Sequence, residues 1–184
     1  SLQEAIAAAD GKVVKLLSDI EVDTKTFTIA DGQNVVLDMN NMSITATDNA
    51  SGNYELFYIY GELTVKGNGT INLASTIDRN WNNMSAIFHN RGGVLTIENG
   101  TFINNGGTDM AFTIDNSGNY FGDATTNIHG GLIKSSYIAI RNRMEQNSHG
   151  YSGKTYLNIT GGTIEGVRRT TWGQAASGNE SAPA

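Results

Sequence analysis

Apolar and polar residues alternate along short stretches of this chain, and the alternation returns at a fixed interval. The stretch from Leu63 to Ile71 reads LTVKGNGTI, and related stretches close on Phe102, Ile133 and Ile164. The closing residues at positions 71, 102, 133 and 164 are each 31 residues apart. Alternation with a period of two is typical of half-buried β-strands. Each copy therefore predicts two short strands separated by a corner rich in Gly and Asn.

A second repeated strand ends in Asn at three places. Asn90, Asn116 and Asn142 close the stretches AIFHN, FTIDN and IAIRN, and they lie 26 residues apart. The alternation places these Asn side chains inside, together with the apolar residue two positions earlier. Stacked side-chain amides hydrogen-bond to one another and so satisfy buried polar groups. We therefore predict that the three residues form a structural Asn row in the interior.

The repeat predicts the fold. A unit of 26 to 31 residues with three short strands cannot close a core of its own, whereas stacked units bury one continuous interior. An earlier and looser copy runs from Leu37 to Ile44. We therefore predict an all-β chain, a right-handed parallel β-helix, or β-solenoid, of about five coils.

The pattern also divides the chain into three parts. Residues 1–11 predict a short N-terminal capping helix, because Ser1 and Glu4 have the spacing of a capping box and Gly11 follows as a stop signal. Residues 12–172 hold the parallel β-helix. Residues 173–184 are small and polar without periodicity, and they predict a C-terminal tail or linker.

Composition and charge narrow the classes of function. The chain of 184 residues carries 12 Lys and Arg against 18 Asp and Glu, a formal net charge of −6. Binding to a phosphate backbone requires clustered basic residues, so no nucleic acid is expected as a partner. No apolar run approaches the length that spans a bilayer, so no membrane insertion is expected either. The absence of Cys excludes disulfides and thiolate metal ligands.

These features resemble the pectin-lyase-like β-helix superfamily, which includes polysaccharide lyases, polygalacturonases, phage tailspikes and bacterial adhesins. The resemblance is carried by LQEAIAAADGKVVKLLSDI near the start, by NVVLDMNNMSIT after it and by phrases such as LNITGGTI, and it covers residues 1 to about 172. In character the chain is most similar to the phage tailspike, phage fibre or bacterial adhesin modules. The resemblance therefore implies an extracellular, cell-surface or virion location.

The strand that ends in the Asn row also carries a line of polar side chains on its other face. These outward side chains are Tyr60, His89, Asp115 and Arg141, followed one step further along by Arg91 and Arg143. Stacked coils lie about 4.8 Å apart, so the side chains should align. One interpretation is a solvated face, in which exposed ion pairs contribute only about 0 to 1 kcal/mol. The other is the floor of a polar groove that binds a ligand.

Loops of changing length border this strand. From coil to coil the loop before it shortens and the loop after it lengthens, which predicts two walls around an oblique cleft. The aromatic side chains of these walls that are candidates for ligand binding are Trp81, Tyr120 and Tyr151. Such a residue forms either a local loop core or a platform for a sugar ring, and the sequence leaves both open.

The catalytic motifs of the similar enzymes are mostly missing. Polygalacturonases carry NTD, DD, Gly/Ser-His-Gly and RIK in that order, and here only Ser148-His149-Gly150 matches. Glycoside hydrolysis generally needs two carboxylates about 5 to 9.5 Å apart, and the outward line offers only Asp115. If the chain is an enzyme, Asp115, His89 and Arg141 are the expected catalytic residues. No metal site and no cofactor are expected, because the His residues are scattered.

Three functions remain open on the sequence. The leading hypothesis is a non-catalytic structural or recognition module of a virion fibre, tailspike-like or capsid-decorating protein, or of a bacterial surface adhesin. Its expected partners are a surface polysaccharide or glycan and other structural protein chains, in a homo-oligomer or a larger assembly. The alternatives are a polysaccharide lyase or glycoside hydrolase with a site on the exposed strand face, and a purely architectural spacer between domains.

Overall fold

The computed structural model describes residues 1–49, 51–75, 83–107, 109–119, 122–144, 153–174 and 181–182. Within these ranges the chain forms one short helix and a long series of short strands. In chain order they are α1 (Leu2–Ala7), β1 (Lys12–Lys15), β2 (Ile20–Asp23), β3 (Phe27–Ile29), β4 (Asn34–Asp38), β5 (Ser43–Asp48), β6 (Tyr54–Ile59), β7 (Glu62–Lys66), β8 (Thr70–Ser75), β9 (Ser85–Asn90), β10 (Val94–Ile97), β11 (Thr101–Asn105), β12 (Ala111–Gly118), β13 (Ala124–Ile128), β14 (Leu132–Ser135), β15 (Ile138–Met144), β16 (Thr155–Ile159), β17 (Thr163–Gly166), β18 (Arg169–Gln174) and β19 (Ser181–Ala182).

Three sheets form the walls of a β-helix, because each coil adds one strand to each sheet. Sheet A joins β1, β4, β7, β10, β13 and β16, and sheet B joins β2, β5, β8, β11, β14 and β17. Sheet C joins β3, β6, β9, β12, β15 and β18, with β19 beyond β18 at its edge. The strands from β1 to β18 pair in parallel. The predicted all-β parallel β-helix with its N-terminal helix is confirmed.

The 31-residue interval is the register of sheet B. Phe102 on β11 lies opposite Ile71 on β8 and opposite Ile133 on β14, and Ile133 lies opposite Ile164 on β17. Each of the five copies of the repeat consists of a strand of sheet A, a corner and the next strand of sheet B. The first copy is formed by β4 and β5, and the last by β16 and β17. One further coil of three strands, β1 to β3, precedes them.

Inward-facing apolar side chains fill the space between the three sheets. A column of aromatic rings runs along sheet C, with ring centroids 5.3 Å apart for Phe27 and Phe57 and 5.4 Å apart for Phe57 and Phe88. The ring of Phe88 also meets that of Phe102 from sheet B edge to face at 5.3 Å. All four side chains are buried. The interior is therefore one continuous core, as the stacking of incomplete units requires.

Helix α1 covers the first coil. The side chain of Ser1 accepts a hydrogen bond from the backbone N–H of Glu4, which forms the predicted capping box. Leu2 and Ile6 are buried in the main core, and the carbonyl of Ile6 accepts a hydrogen bond from the Gln33 side chain. The helix therefore shields the apolar interior at this end.

The boundary predicted between the β-helix and the tail falls inside a strand. β18 extends over Arg169–Gln174, and β19 pairs with it antiparallel, with Gly173 opposite Ala182 and Gln174 opposite Ser181. Part of the predicted tail thus adds to sheet C. Small and polar residues give no periodic signal for so short a strand.

Candidate functional site

Sheet C aligns one column of polar side chains across four coils. Tyr58 on β6 lies opposite His89 on β9, His89 lies opposite Asp115 on β12, and Asp115 lies opposite Arg141 on β15. We call these four residues the polar line. The structure brings together the predicted residues His89, Asp115 and Arg141. The prediction of Tyr60 as the fourth member was wrong, because Tyr58 occupies that position. β6 ends at Ile59, so Tyr60 already lies in the turn that follows.

Three members of the polar line are buried and Tyr58 is half-buried, which corrects the prediction of an exposed face. The exposed fractions are 3% for His89, 0% for Asp115 and 6% for Arg141. These side chains point away from the main core, yet a second apolar cluster lies beside them. Its members are Met84, Ala86, Met110, Ala111, Phe112, Tyr137 and Ile138. Alternation identifies the side of a sheet to which a residue belongs, but not whether other residues cover that side.

The guanidinium of Arg141 contacts Asp115 on one side and the second apolar cluster on the other. Its centre lies 3.9 Å from the centroid of the Phe112 ring, in cation–π geometry. Its Nη2 atom lies 2.9 Å from the sulfur of Met84. The same guanidinium donates two hydrogen bonds to Asp115, with Nε 2.9 Å from Oδ1 and with Nη2 bonded to Oδ2. A fork of this kind is among the strongest neutralising contacts for a carboxylate.

Asp115 is held by three positively charged or ionisable side chains. Besides Arg141, the guanidinium of Arg143 donates to both carboxylate oxygens at 3.3 Å. The Nε2 atom of His89 lies 3.4 Å from Oδ2. Burial by itself would raise the pKa of the Asp115 carboxyl, but Arg141, Arg143 and His89 outweigh burial and hold this pKa well below its usual range. Asp115 is therefore an ionised anchor of the cluster.

His89 lies between two carboxylates. Its Nδ1 atom lies 3.4 Å from Oε1 of Glu55, and its Nε2 atom lies 3.4 Å from Oδ2 of Asp115. Neither ring nitrogen has a hydrogen-bond partner among the described residues. Glu55 is buried as well, with 2% of its surface exposed. The pairing is thus electrostatic rather than a relay of short hydrogen bonds.

Tyr58 closes the cluster on the side of β6. Its hydroxyl donates a hydrogen bond of 2.8 Å to Oε2 of Glu55, and its ring centroid lies 5.5 Å from that of His89. Burial raises the pKa of the Tyr58 hydroxyl, and the neighbouring Glu55 carboxylate raises it further. The guanidinium of Arg91 lies 5.8 Å from the Tyr58 ring centroid. Tyr58 therefore remains a protonated donor that fixes Glu55.

Acid should remove the contribution of Asp115 to stability. A carboxyl with a depressed pKa in the folded state stabilises that state above its unfolded pKa of about 3.9, and this stability is lost as the pH falls further. We expect the difference in unfolding free energy between the wild type and Asp115→Asn to shrink as the pH falls from about 4 to 3. Urea titrations over this range measure it. A difference that persists unchanged to pH 3 would contradict the ionised state of Asp115.

The Asn row lies inside the same sheet. The Nδ2 atom of Asn90 donates to Oδ1 of Asn116 at 2.9 Å, and Nδ2 of Asn116 donates to Oδ1 of Asn142 at 2.7 Å. Asn116 also donates to the carbonyl of Tyr156 at 3.0 Å and accepts from the Thr126 hydroxyl at 2.9 Å. The amides therefore tie sheet C to the neighbouring strands of sheet A.

Some candidate residues lie elsewhere. Trp81, Tyr120 and Tyr151 lie outside the described residues. Tyr60 is half-buried, and its ring stacks on that of Tyr58 with centroids 6.2 Å apart and planes 26° apart. Among the described residues, no group of three or more His, Asp or Glu side chains is arranged to hold a metal ion.

Sequence reasoning missed Glu55 and Tyr58. A signal existed for Glu55, because it is the one charged residue in the apolar stretch YELFYIY, and a charge in a buried strand requires a partner. Tyr58 lies 31 residues before His89, which is the interval between the sheet B strands β8, β11, β14 and β17. The later members of the line follow at 26 residues, so no single spacing finds the whole column.

The comparisons with known proteins found no match. Neither a family model, nor a curated protein, nor a solved structure matches the chain. The resemblance to pectin-lyase-like proteins therefore rests on the β-helix alone. No helix in the described part of the chain is long and apolar enough to cross a membrane.

Proposed function

We propose that this chain is a non-catalytic structural and recognition module. It belongs to a virion fibre, tailspike-like or capsid-decorating protein, or to a bacterial surface adhesin, and it works outside the cell or on the virion. The observation that carries the proposal is the state of the polar line, in which Asp115 and Arg141 are buried and hydrogen-bonded to each other. A general acid or base must reach its substrate within hydrogen-bond distance. Asp115, with no exposed surface, serves instead to hold the coils together.

The remaining surface suits recognition. A parallel β-helix presents long, regular sheet faces, and successive coils repeat chemically similar positions at a spacing of about 4.8 Å. Such an array matches extended ligands with a repeat of their own, and a surface polysaccharide is the ligand class that we propose. Other structural protein chains are proposed partners in a homo-oligomer or a larger assembly.

A turnover assay separates recognition from catalysis. The chain is incubated with neutral and acidic polysaccharides, and reducing ends and unsaturated products are measured. We expect no turnover, because the carboxylates of Asp115 and Glu55 are buried. Product formation that is lost in Glu55→Gln or His89→Gln, with the fold intact by circular dichroism, would overturn the proposal in favour of a lyase or hydrolase.

A binding assay tests the other half of the proposal. The chain is applied to an array of bacterial and host surface glycans, and light scattering gives its mass in solution. Binding to at least one glycan class without turnover is expected. Failure to bind any glycan would leave only the architectural spacer, for which a partner chain has to be sought.

A further inference from the structure

A small pocket opens at the corner where the chain passes from sheet C to sheet A. It lies on three successive coils and is formed by residues 31–34, 60–62 and 92–94, with a volume of about 250 Å³. Sites for drug-sized ligands usually measure about 300 to 1,000 Å³. This pocket, which we call the Tyr60 pocket, therefore suits a single small ring rather than several residues of a chain.

Glycine lines the pocket on each of the three coils. A Cβ atom on Gly61 would collide with the carbonyl oxygen of Ala30, and one on Gly93 would collide with the carbonyl oxygen of Gly61. The backbones of successive coils approach so closely here that no side chain fits between them. The close stacking of the coils at this corner therefore requires glycine at both positions.

Tyr60 is one of the residues that line the pocket. Tyr60 is half-buried, and its ring is held nearly parallel to that of Tyr58, whose hydroxyl is fixed by Glu55. A Tyr ring offers a large apolar surface with little conformational freedom to lose. The C–H face of a pyranose ring packs on such a surface.

The polar side chains of the pocket suit hydroxyl or amino groups. The amide of Asn34 donates to Oε2 of Glu62 at 3.1 Å, which orients both groups at the rim. An ionised carboxylate accepts several hydrogen bonds, and an amide both donates and accepts. The charged residues that line the pocket, Asp31 and Glu62, are both acidic. A ligand with a carboxylate or a sulfate group would be repelled.

We propose that the Tyr60 pocket binds one pyranose ring without negative charge, either a neutral hexose or an amino sugar, that belongs to a surface glycan. The ring stacks on Tyr60, and its hydroxyl or amino groups bind Glu62 and Asn34. The inference rests on the proposed function of glycan recognition and names the ligand class and the site. It also predicts that uronate polymers do not bind to this pocket, because their carboxylates would be repelled by Asp31 and Glu62.

The test compares three sets of oligosaccharides of equal length, made of neutral hexoses, hexosamines or uronates. Calorimetry with the wild type should show binding to a neutral or an amino set and none to uronates. Tyr60→Ala should weaken this binding at least about tenfold, the loss expected for an aromatic anchor. Tyr60→Phe should retain it. Glu62→Gln should weaken binding of hexosamines more than binding of neutral sugars.

Two control variants match these changes. Tyr156→Ala removes an exposed Tyr on β16, and Glu21→Gln neutralises an exposed Glu on β2, and neither should alter binding. Binding that survives Tyr60→Ala, or a preference for uronates, would overturn the Tyr60 pocket and leave glycan recognition intact. Binding to none of the three sets, together with no binding on the glycan array, would overturn both proposals.

Discussion

Replacing Asp115 with Asn is expected to lower the free energy of unfolding by about 3 to 5 kcal/mol, the usual cost of removing one partner from a buried ion pair. The change removes the carboxylate that the guanidinium groups of both Arg141 and Arg143 contact. The neutral amide of Asn cannot balance the positive charge of the buried Arg141 guanidinium as the carboxylate does. Urea unfolding at pH 7, followed by circular dichroism, measures the loss.

The control for this variant is Asp31→Asn, which makes the same chemical change at an exposed position and should cost less than about 0.5 kcal/mol. The double variant Asp115→Asn with Arg141→Met should recover part of the loss, because it removes both members of the buried ion pair together. A single variant no less stable than Asp31→Asn would show that the polar line does not stabilise the coils.

Asn116→Ala is expected to lower the free energy of unfolding by about 2 to 4 kcal/mol, because each stranded buried polar group costs about 1 to 3 kcal/mol. Asn116 is fully buried and stands in the middle of the Asn row. Its removal takes the donor from Oδ1 of Asn142 and the acceptor from the Thr126 hydroxyl. The same urea experiment measures this effect.

The matched control lies on the outer face of sheet A. Asn158 also bonds to an Asn one coil away, with its Nδ2 atom 2.9 Å from Oδ1 of Asn127, but it is exposed. Water replaces its partner, so Asn158→Ala should cost less than about 0.5 kcal/mol. Equal losses of unfolding free energy for the two variants would mean that the hydrogen bond between Asn side chains on adjacent coils, and not its burial, determines the stabilisation.

The two buried networks explain how this β-helix stays in register along sheet C. Inside the sheet the amides of the Asn row link coil to coil, and on the other side Asp115 joins β12 to β15 and approaches His89 of β9. A slip of one residue would expose the Asn side chains outwards and bring the charged ones into the core. The polar line thus favours one register of coil stacking over the alternatives.

Much of the fold was predictable from the sequence, because it depends on local and repeated signals. Alternation with a period of two predicted which side chains face inwards, and the constant step from Ile71 to Ile164 predicted which strands lie side by side. The spacing of Ser1, Glu4 and Gly11 predicted the helix for the same reason, since capping is decided within a few residues. The predicted alignment of Asn90, Asn116 and Asn142 on adjacent strands is likewise found in the structure.

The candidate site was less predictable, because its chemistry depends on contacts between distant residues. The sequence by itself determined that His89, Asp115 and Arg141 lie in one column, since a regular backbone converts equal spacing into adjacency. Only the tertiary structure decided that this column is buried and that Tyr58 and Glu55 complete it. It also decided that Tyr60 lies at a separate pocket. The physical reason is that periodicity reports direction relative to a sheet, whereas burial and charge pairing depend on what packs over that sheet from other parts of the chain.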